Sequence, residues 1–568
     1  MRRKEGADDD RPGWRCSRRR FLQGLGAAAC SLALTASPAA CDRRPATPSA
    51  GRPRAGGQLV EGGLADVSHL LPVLAQDPPS LLVSRMLFEG LLGVAADGSP
   101  FPLLAESLPR LSADGTTYTF RLRRGLRWSD GHPLTGDDVV FTYQLMFAPR
   151  YEDLRSPWRT DLLLHLEEVT SPDPLTVIFR TRGVYAPFLA LHAQHGIVPE
   201  HVLGSLSGAA IESSDFDRAP AVVNGAFRFV GWDPGREMVL ARNDAYHGPR
   251  ARLERYVYQV LPDAAALAEA LVSGQIDLAG QIDPALWQEL ADRPGVRRIP
   301  PFPVPTVTFY TTNLDPSTRA GKLFSDVAVR QALLLALDRH RLAATVYRGL
   351  AAPADSVEPP CSWAHVAAEP AYPHDPERAG HLLEEAGWSR GPDGIRQREG
   401  LRLDLTVTTD QEDPERRALA AAMSQDWRRI GVGTTLQVVP FAQLVAQLSR
   451  ERTFDVLLAG LTWPQDPDQS PLFSSAATVP GGLNGFGLRD GEVDWLLAEA
   501  VQTTDPRRRR RLYVLYQDRM NQLLPAPTLL FHRGLWAARE RVRGLALGPY
   551  SQYEGRSWMR GVWVADGR

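Results

Sequence analysis

An α/β architecture made of several layered units is expected of this chain on three grounds. In its second half, helix-like and strand-like segments alternate, as in "RALAAAMSQDWRRIGVGTTLQVV", which reads as helix, glycine break and strand. Pro 46 and Gly 48 imply many turns, which suits a loop-rich α/β protein better than a helical bundle. The 568 residues amount to about three or four domain-sized units. Hydrophobic residues at 43% and charged residues at 23% are ordinary for a protein with a large core. Lys+Arg 64 against Asp+Glu 66 leaves a formal charge of -2, which gives no support to a nucleic-acid partner. Of four cysteines, Cys16, Cys30 and Cys41 precede the body, so Cys361 can form neither a disulfide nor a multi-cysteine zinc site within it.

The elements follow in order. Residues 1–41 read as an export signal: Arg18, Arg19 and Arg20 precede an apolar run from Phe21 to about Ala36, and small residues end it. "SRRRFL" resembles a twin-arginine motif, and Cys41 after Ala39-Ala40 resembles a lipidation site, although Pro38 stands where an aliphatic residue is usual. Residues 42–55 are polar and proline-rich, a flexible tether. "TTYTFRLRRGLRW" alternates with the period of a half-buried strand. Asp130-Gly131 then marks a turn, and Thr135 with Asp138 suggests a capping box opening a helix. Asp130, Asp137 and Asp138 thus each have a structural role, and none needs an active site. "LTVIFRT" at 175–181 reads as a strand, and "AALAEALVSG" at 265–274 as a helix closed by Gly274. Residues 326–347 carry one long helical pattern opened by Asp326. "DPERAGHLLEEAGW" starts with the cap-then-proline order of a helix and stops at Gly387, and "RLDLTVTT" alternates as a strand.

Three further constellations carry less. His192, His195 and His201 are spaced loosely like metal ligands, but Pro199 breaks any helix across them, so no metal site is expected. Five consecutive arginines follow Asp505-Pro506; at about 100° per residue they spread around a helix and read as a solvated helix start. "GGLNGFG" at 481–487 lacks the lysine and Ser/Thr of a phosphate loop and reads as a loop that could face a ligand. No GxSxG element and no Cys/His pair offers a nucleophile, so no enzyme activity and no cofactor are expected.

Taken together and in order, "GGQLVEGG", "LFEGLL", "SADGTTYTFRLRRGLRWSDGHPLTGDDVVFTY", "NGAFRFVGWDPGREMVLARNDAYHG", "ALVSGQIDLAG", "FSDVAVRQALLLALDR" and "DPERAGHLLEEAGW" resemble the family-five extracellular solute-binding proteins, the peptide/nickel-type receptors of ABC importers. The resemblance spans nearly everything from Gly56 onward. It implies a bilobed periplasmic-binding-protein fold of the large class, with an extra domain inserted in the first lobe, closing on ligand by hinge motion. Lobe I would comprise residues 56–95, 220–312 and 525–568, the inserted subdomain 96–219, and lobe II 313–524. Hinges would lie near 310–313 and 523–527. The implied activity is capture of an oligopeptide or peptide-like solute by a monomer, tethered at the outer face of the membrane, for delivery to an ABC permease and its ATPase.

The resemblance also suggests where ligand is met. In peptide-binding relatives, the stretch matching "GLTWPQDPDQSPLF" carries a tryptophan and then an aspartate that pairs with the peptide ammonium; here Leu461 and Pro464 stand at those places. Asp466 or Asp468 would have to replace the clamp, and Trp463 could offer a stacking face. Phe88, Asn224, Tyr310, Asn484 and Phe486 are further pocket candidates, taken from loops that family ligands meet. The departure raises the alternatives of a metal chelate, an opine-like derivative or an oligosaccharide. A secreted hydrolase using paired carboxylates, or a sensor-coupled receptor, are readings from other classes.

Overall fold

The computed structural model describes residues 53–367, 371–551 and 556–565. Arg18, Arg19 and Cys41 lie outside the described residues. Eleven strands form one sheet. At one end Gln58–Gly63 runs parallel to Arg255–Val260 and to Leu278–Ala279, and the sheet continues antiparallel through Glu237–Arg242 to Phe227–Asp233. At the other end Asp404–Asp410 runs parallel to Gly433–Val439 and to Val456–Thr462. Two long antiparallel strands, Val296–Thr312 and Thr528–Arg539, join the two ends as a ribbon.

Parallel neighbours require a covering crossover. Between Asp404–Asp410 and Gly433–Val439 it is the helix Pro414–Arg429, started by Asp413, which accepts the Arg416 N–H at 2.8 Å, and by Pro414 in the first turn. Its buried face carries Leu419, Met423 and Trp427. Trp427 donates Nε1–H to Leu333 O at 2.8 Å, and its ring meets Tyr310 edge-on with centroids 5.5 Å apart.

The ribbon is irregular where its sequence demands it. Pro300, Pro301, Pro303 and Pro305 have no N–H to donate, and the pairing shifts register between Ile299/Phe302 and between Pro303/Val307. The apolar cores divide at the same place. Val296 and Ile299 pack with Leu535 and Trp536, whereas Val307, Phe309 and Tyr310 belong to the cores at the far end. The change from one set of cores to the other falls across residues 300–305. Tyr310 and Thr312 pair with Leu458 and Val456, and their N–H groups donate to Pro527 O and Pro525 O, both at 3.3 Å.

A separate four-stranded antiparallel sheet, in the order Arg110–Leu111, Thr117–Arg121, Thr176–Thr181 and Leu166–Asp173, is packed by the helix Gly136–Phe147. This is the region where the sequence placed a turn and a capped helix. The Thr135 N–H donates to Asp138 Oδ2 at 2.9 Å, and the Asp137 N–H to Thr135 Oγ1 at 3.3 Å, so an aspartate closes the box. Asp130 accepts the His132 N–H at 2.9 Å, and Gly131 takes a φ of +90°, the left-handed turn conformation that glycine tolerates.

One element is corrected. The single helix expected over 326–347 is two, Val327–Leu335 and Arg339–Thr345. Asp338 breaks it by acting as a second N-cap, accepting the Arg341 N–H at 2.9 Å, and Arg339 turns inward to donate to Tyr372 O at 2.8 Å.

Candidate functional site

Two cavities are lined on one side by residues between 78 and 195 and on the other by residues between 305 and 509. The larger, about 850 Å³, has Pro78, Arg85, Trp158, Asp161, His192 and His195 on one wall and Pro305, Thr462, Trp463, Pro464 and Leu483 on the other. The smaller, about 510 Å³, lies between Asp97, Tyr118 and Leu189 and the facing Cys361, Trp363, Gln465 and Arg509. Ala190 and Tyr550 line both. The walls are bonded to each other: Gln194 Nε2 donates to Gln465 Oε1 at 2.7 Å, and the Ala186 N–H to Val501 O at 2.8 Å. The lobes are therefore closed on the space between them.

Two tryptophans line the larger cavity. Trp463 follows the strand Val456–Thr462, where its N–H donates to Pro305 O at 2.9 Å. Its indole Nε1 is buried without a hydrogen-bond partner. On the opposite wall Trp158 is fixed by Nε1–H donation to Pro72 O at 3.2 Å and lies 4.7 Å from the His195 ring. Two indoles on walls that part and close give the apolar, rigid contact expected of a solute site.

The histidine run is split by the fold. His201 leaves the cavity, lying 2.8 Å from Asp130 and stacking on His132 at 4.1 Å. His192 and His195 stay, with ring nitrogens 3.4 Å apart. Asp161 joins them: its Oδ2 is 2.7 Å from His192 Nε2 and its Oδ1 is 3.6 Å from His165 Nε2. Burial works to raise the Asp161 pKa, but the hydrogen bond and charge of His192 outweigh it and hold the carboxyl below its ordinary value. Burial pushes His165 below its ordinary value and His195 well below.

Asp466 is committed elsewhere. Arg509 grips it with two bonds, Nη1 to Oδ2 at 2.7 Å and Nη2 to Oδ1 at 2.6 Å, and Arg509 Nε donates to Ala500 O at 2.9 Å. Burial works to lower the Arg509 pKa, yet the adjacent Asp466 carboxylate holds it above its ordinary value. The arginine run is thereby corrected: the helix Pro506–Leu523 does start at Asp505, and four of its five arginines are exposed, but Arg509 is buried as an ion-pair partner. Asp468 accepts the Ser470 N–H at 2.9 Å and its hydroxyl at 2.5 Å, while burial raises its pKa.

The remaining sequence candidates take structural positions. Asn224 bridges backbone: it accepts the Glu89 N–H at 2.6 Å and donates to Glu89 O and Ile197 O at 3.3 and 3.4 Å. Phe88 lines a small cavity beside Glu89, Gln194 and Arg560. Tyr310 is fully buried against Trp427. Asn484 ties its loop by donating to Ser474 O and Leu488 O, both at 2.9 Å, and Phe486 packs in the core with Phe473. From that glycine-rich loop it is Leu483 that reaches the larger cavity. Trp158, Asp161 and Arg509 were not anticipated. Asp161 sits on a short helix, Arg159–His165, which Trp158 immediately precedes and which has no motif of its own, and Arg509 owes its role to a residue 43 positions away.

Fold and enclosed cavity together define a class: a two-lobed receptor that closes around a solute. The chain belongs to the bacterial extracellular solute-binding proteins, family 5, whose family model for the middle region matches residues 99–481. It is 30% identical over 536 residues to Protein XP55 of Streptomyces lividans, covering 93% of each chain. To the oligopeptide-binding protein AppA of Bacillus subtilis it is 28% identical over 507 residues, 88% of this chain and 91% of the relative. The structure of Bacillus subtilis AppA in complex with a nonapeptide matches with a TM-score of 0.74 at 26% identity, covering 91% of this chain and 100% of that one. Among the described residues no helix is long and apolar enough to cross a membrane.

Proposed function

We propose that this chain is the substrate-binding receptor of an ABC importer, that it captures an oligopeptide or peptide-like solute between its lobes, and that it delivers the closed complex to a membrane permease coupled to an ATPase. The observation that carries the reading is the cavity of about 850 Å³ between Trp158 and Trp463, closed by bonds from one lobe to the other. Its likeness along most of its length to an oligopeptide-binding protein supports a peptide as solute. The receptor breaks no bond in the solute: its role is to bind, to close and to release. Export by way of Arg18 and Arg19, and anchoring through a lipid on Cys41, complete the proposal and would hold the receptor as a monomer beside its permease.

Native mass spectrometry of a form starting at residue 42, purified gently after export, tests this. A heterogeneous set of added masses matching short peptides is the expected result. A single non-peptide mass would overturn the peptide assignment and leave the receptor reading in place. Chemical alteration of the bound solute on incubation would overturn the non-catalytic reading.

A further inference from the structure

We infer that Asp161, on the wall opposite the position where peptide-binding relatives carry their clamp, receives the cationic end of the ligand in this protein. The inference rests on the cavity being a peptide-binding cleft and says which end of the peptide lies where. Three observations carry it. First, Pro464, which stands where the resemblance would place the clamp's aspartate, lines the cavity without a charge. Second, the nearby carboxylates are occupied or remote: Asp466 is held by both terminal nitrogens of Arg509, and Asp97, at the smaller cavity, is an exposed turn residue accepting the Ser99 N–H at 2.9 Å. Third, among the described residues lining the larger cavity, Asp161 is the sole carboxylate.

The local geometry suits an ammonium. The Asp161 side chain is 45% exposed, and its Oδ1, 3.6 Å from the nearest histidine nitrogen, is the less engaged oxygen. His192 Nε2 at 2.7 Å fixes the other oxygen and so orients the carboxylate. Trp158 lies one helical turn before Asp161 and lines the same cavity, so a cation held by the carboxylate also lies near an aromatic ring. Burial pushes His165 and His195 toward the neutral form, which leaves His192 as the histidine that the carboxylate meets most closely. A cation desolvated by lobe closure needs such a countercharge, because an unpaired one is expelled from a dry site. The histidine run thereby finds a use: it supports an acid rather than holding a metal.

The test compares two probes, a tryptic digest of casein and the same digest after N-acetylation, each offered to ligand-free protein and read by native mass spectrometry. The wild-type protein is expected to retain free-amino peptides over acetylated ones by at least about tenfold. Asp161→Asn should abolish that preference and Asp161→Glu should keep it, with thermal unfolding unchanged in both. Equal retention of the two digests by the wild type would overturn the inference without any variant, as would an undiminished preference in a folded Asp161→Asn protein. Retention of neither digest would instead refute the peptide reading of the cavity, and this inference with it.

Discussion

Replacing Arg509 with methionine should cost far more than an arginine on a helix surface would. Both partners of its pair with Asp466 are withdrawn from water, with side chains 8% and 3% exposed, and the two bonds are 2.7 and 2.6 Å long. Methionine keeps an unbranched apolar stem but loses the guanidinium that lies over the Trp363 ring and leaves a buried carboxylate with no cation, a loss of about 3–5 kcal/mol. Removing both charges, in Arg509→Met with Asp466→Leu, should recover most of that loss, because no uncompensated charge remains. Urea unfolding of the wild type, both single variants and the double variant gives the coupling energy directly. The reasoning fails if Arg509→Met costs less than about 1 kcal/mol, the range of a solvated pair. Asp466 would then be free enough to serve as the ligand's countercharge, and the assignment to Asp161 would lose its second support.

Three more outcomes are expected. Burial pushes Glu358 up to about 8 from 4.5, so the folded state holds a proton there that the unfolded chain releases; stability is full below pH 4.5 and declines up to pH 8. The slope is about 1.4 kcal/mol per pH unit, and Glu358→Gln, which keeps an oxygen to accept the bond from Gln469, should flatten it in denaturation curves taken across that range. His532, in the ribbon 2.7 Å from Thr308 Oγ1, is lowered by burial to about 4 from 6.5, so its contribution is present above pH 6.5 and lost as pH falls through 4; His532→Gln should remove that acid-side loss. Gln465→Ala removes the bond to Gln194 between the lobes, worth about 1 kcal/mol, and should raise the radius of gyration of ligand-free protein in X-ray scattering.

Local signals were the legible ones. Asp375-Pro376 and Asp505-Pro506 each announce a helix start and each aspartate does accept a first-turn N–H, because capping is decided within four residues. The break at Asp338 obeys the same rule, but an apolar pattern continues through it and masks it. What could not be read is what depends on distant chain. Arg509 looks like its neighbours until Asp466 is placed beside it. Asn484 and Phe486 lie in a loop that faces the cavity, yet only packing shows that Leu483 is the residue turned toward it. Asp161 gains its setting from His192, which the fold brings to it from beyond two strands.

The joined sheet also dictates an order of assembly. Its first lobe is not finished by the residues that begin it: Asp277 waits for Arg541, 264 positions later, for the ion pair at 2.7 Å that ties Leu278–Ala279 to the returning strand. Everything that builds the second lobe is synthesised in between, and can collapse on its own core first. The closure of so long a loop is a late and slow step. A chain lacking Thr528–Arg539 would leave open edges at Leu278–Ala279, at Val296–Thr312 and at Ala351–Pro353 alike, which makes the last stretch of polypeptide the event that converts two partial bodies into a receptor.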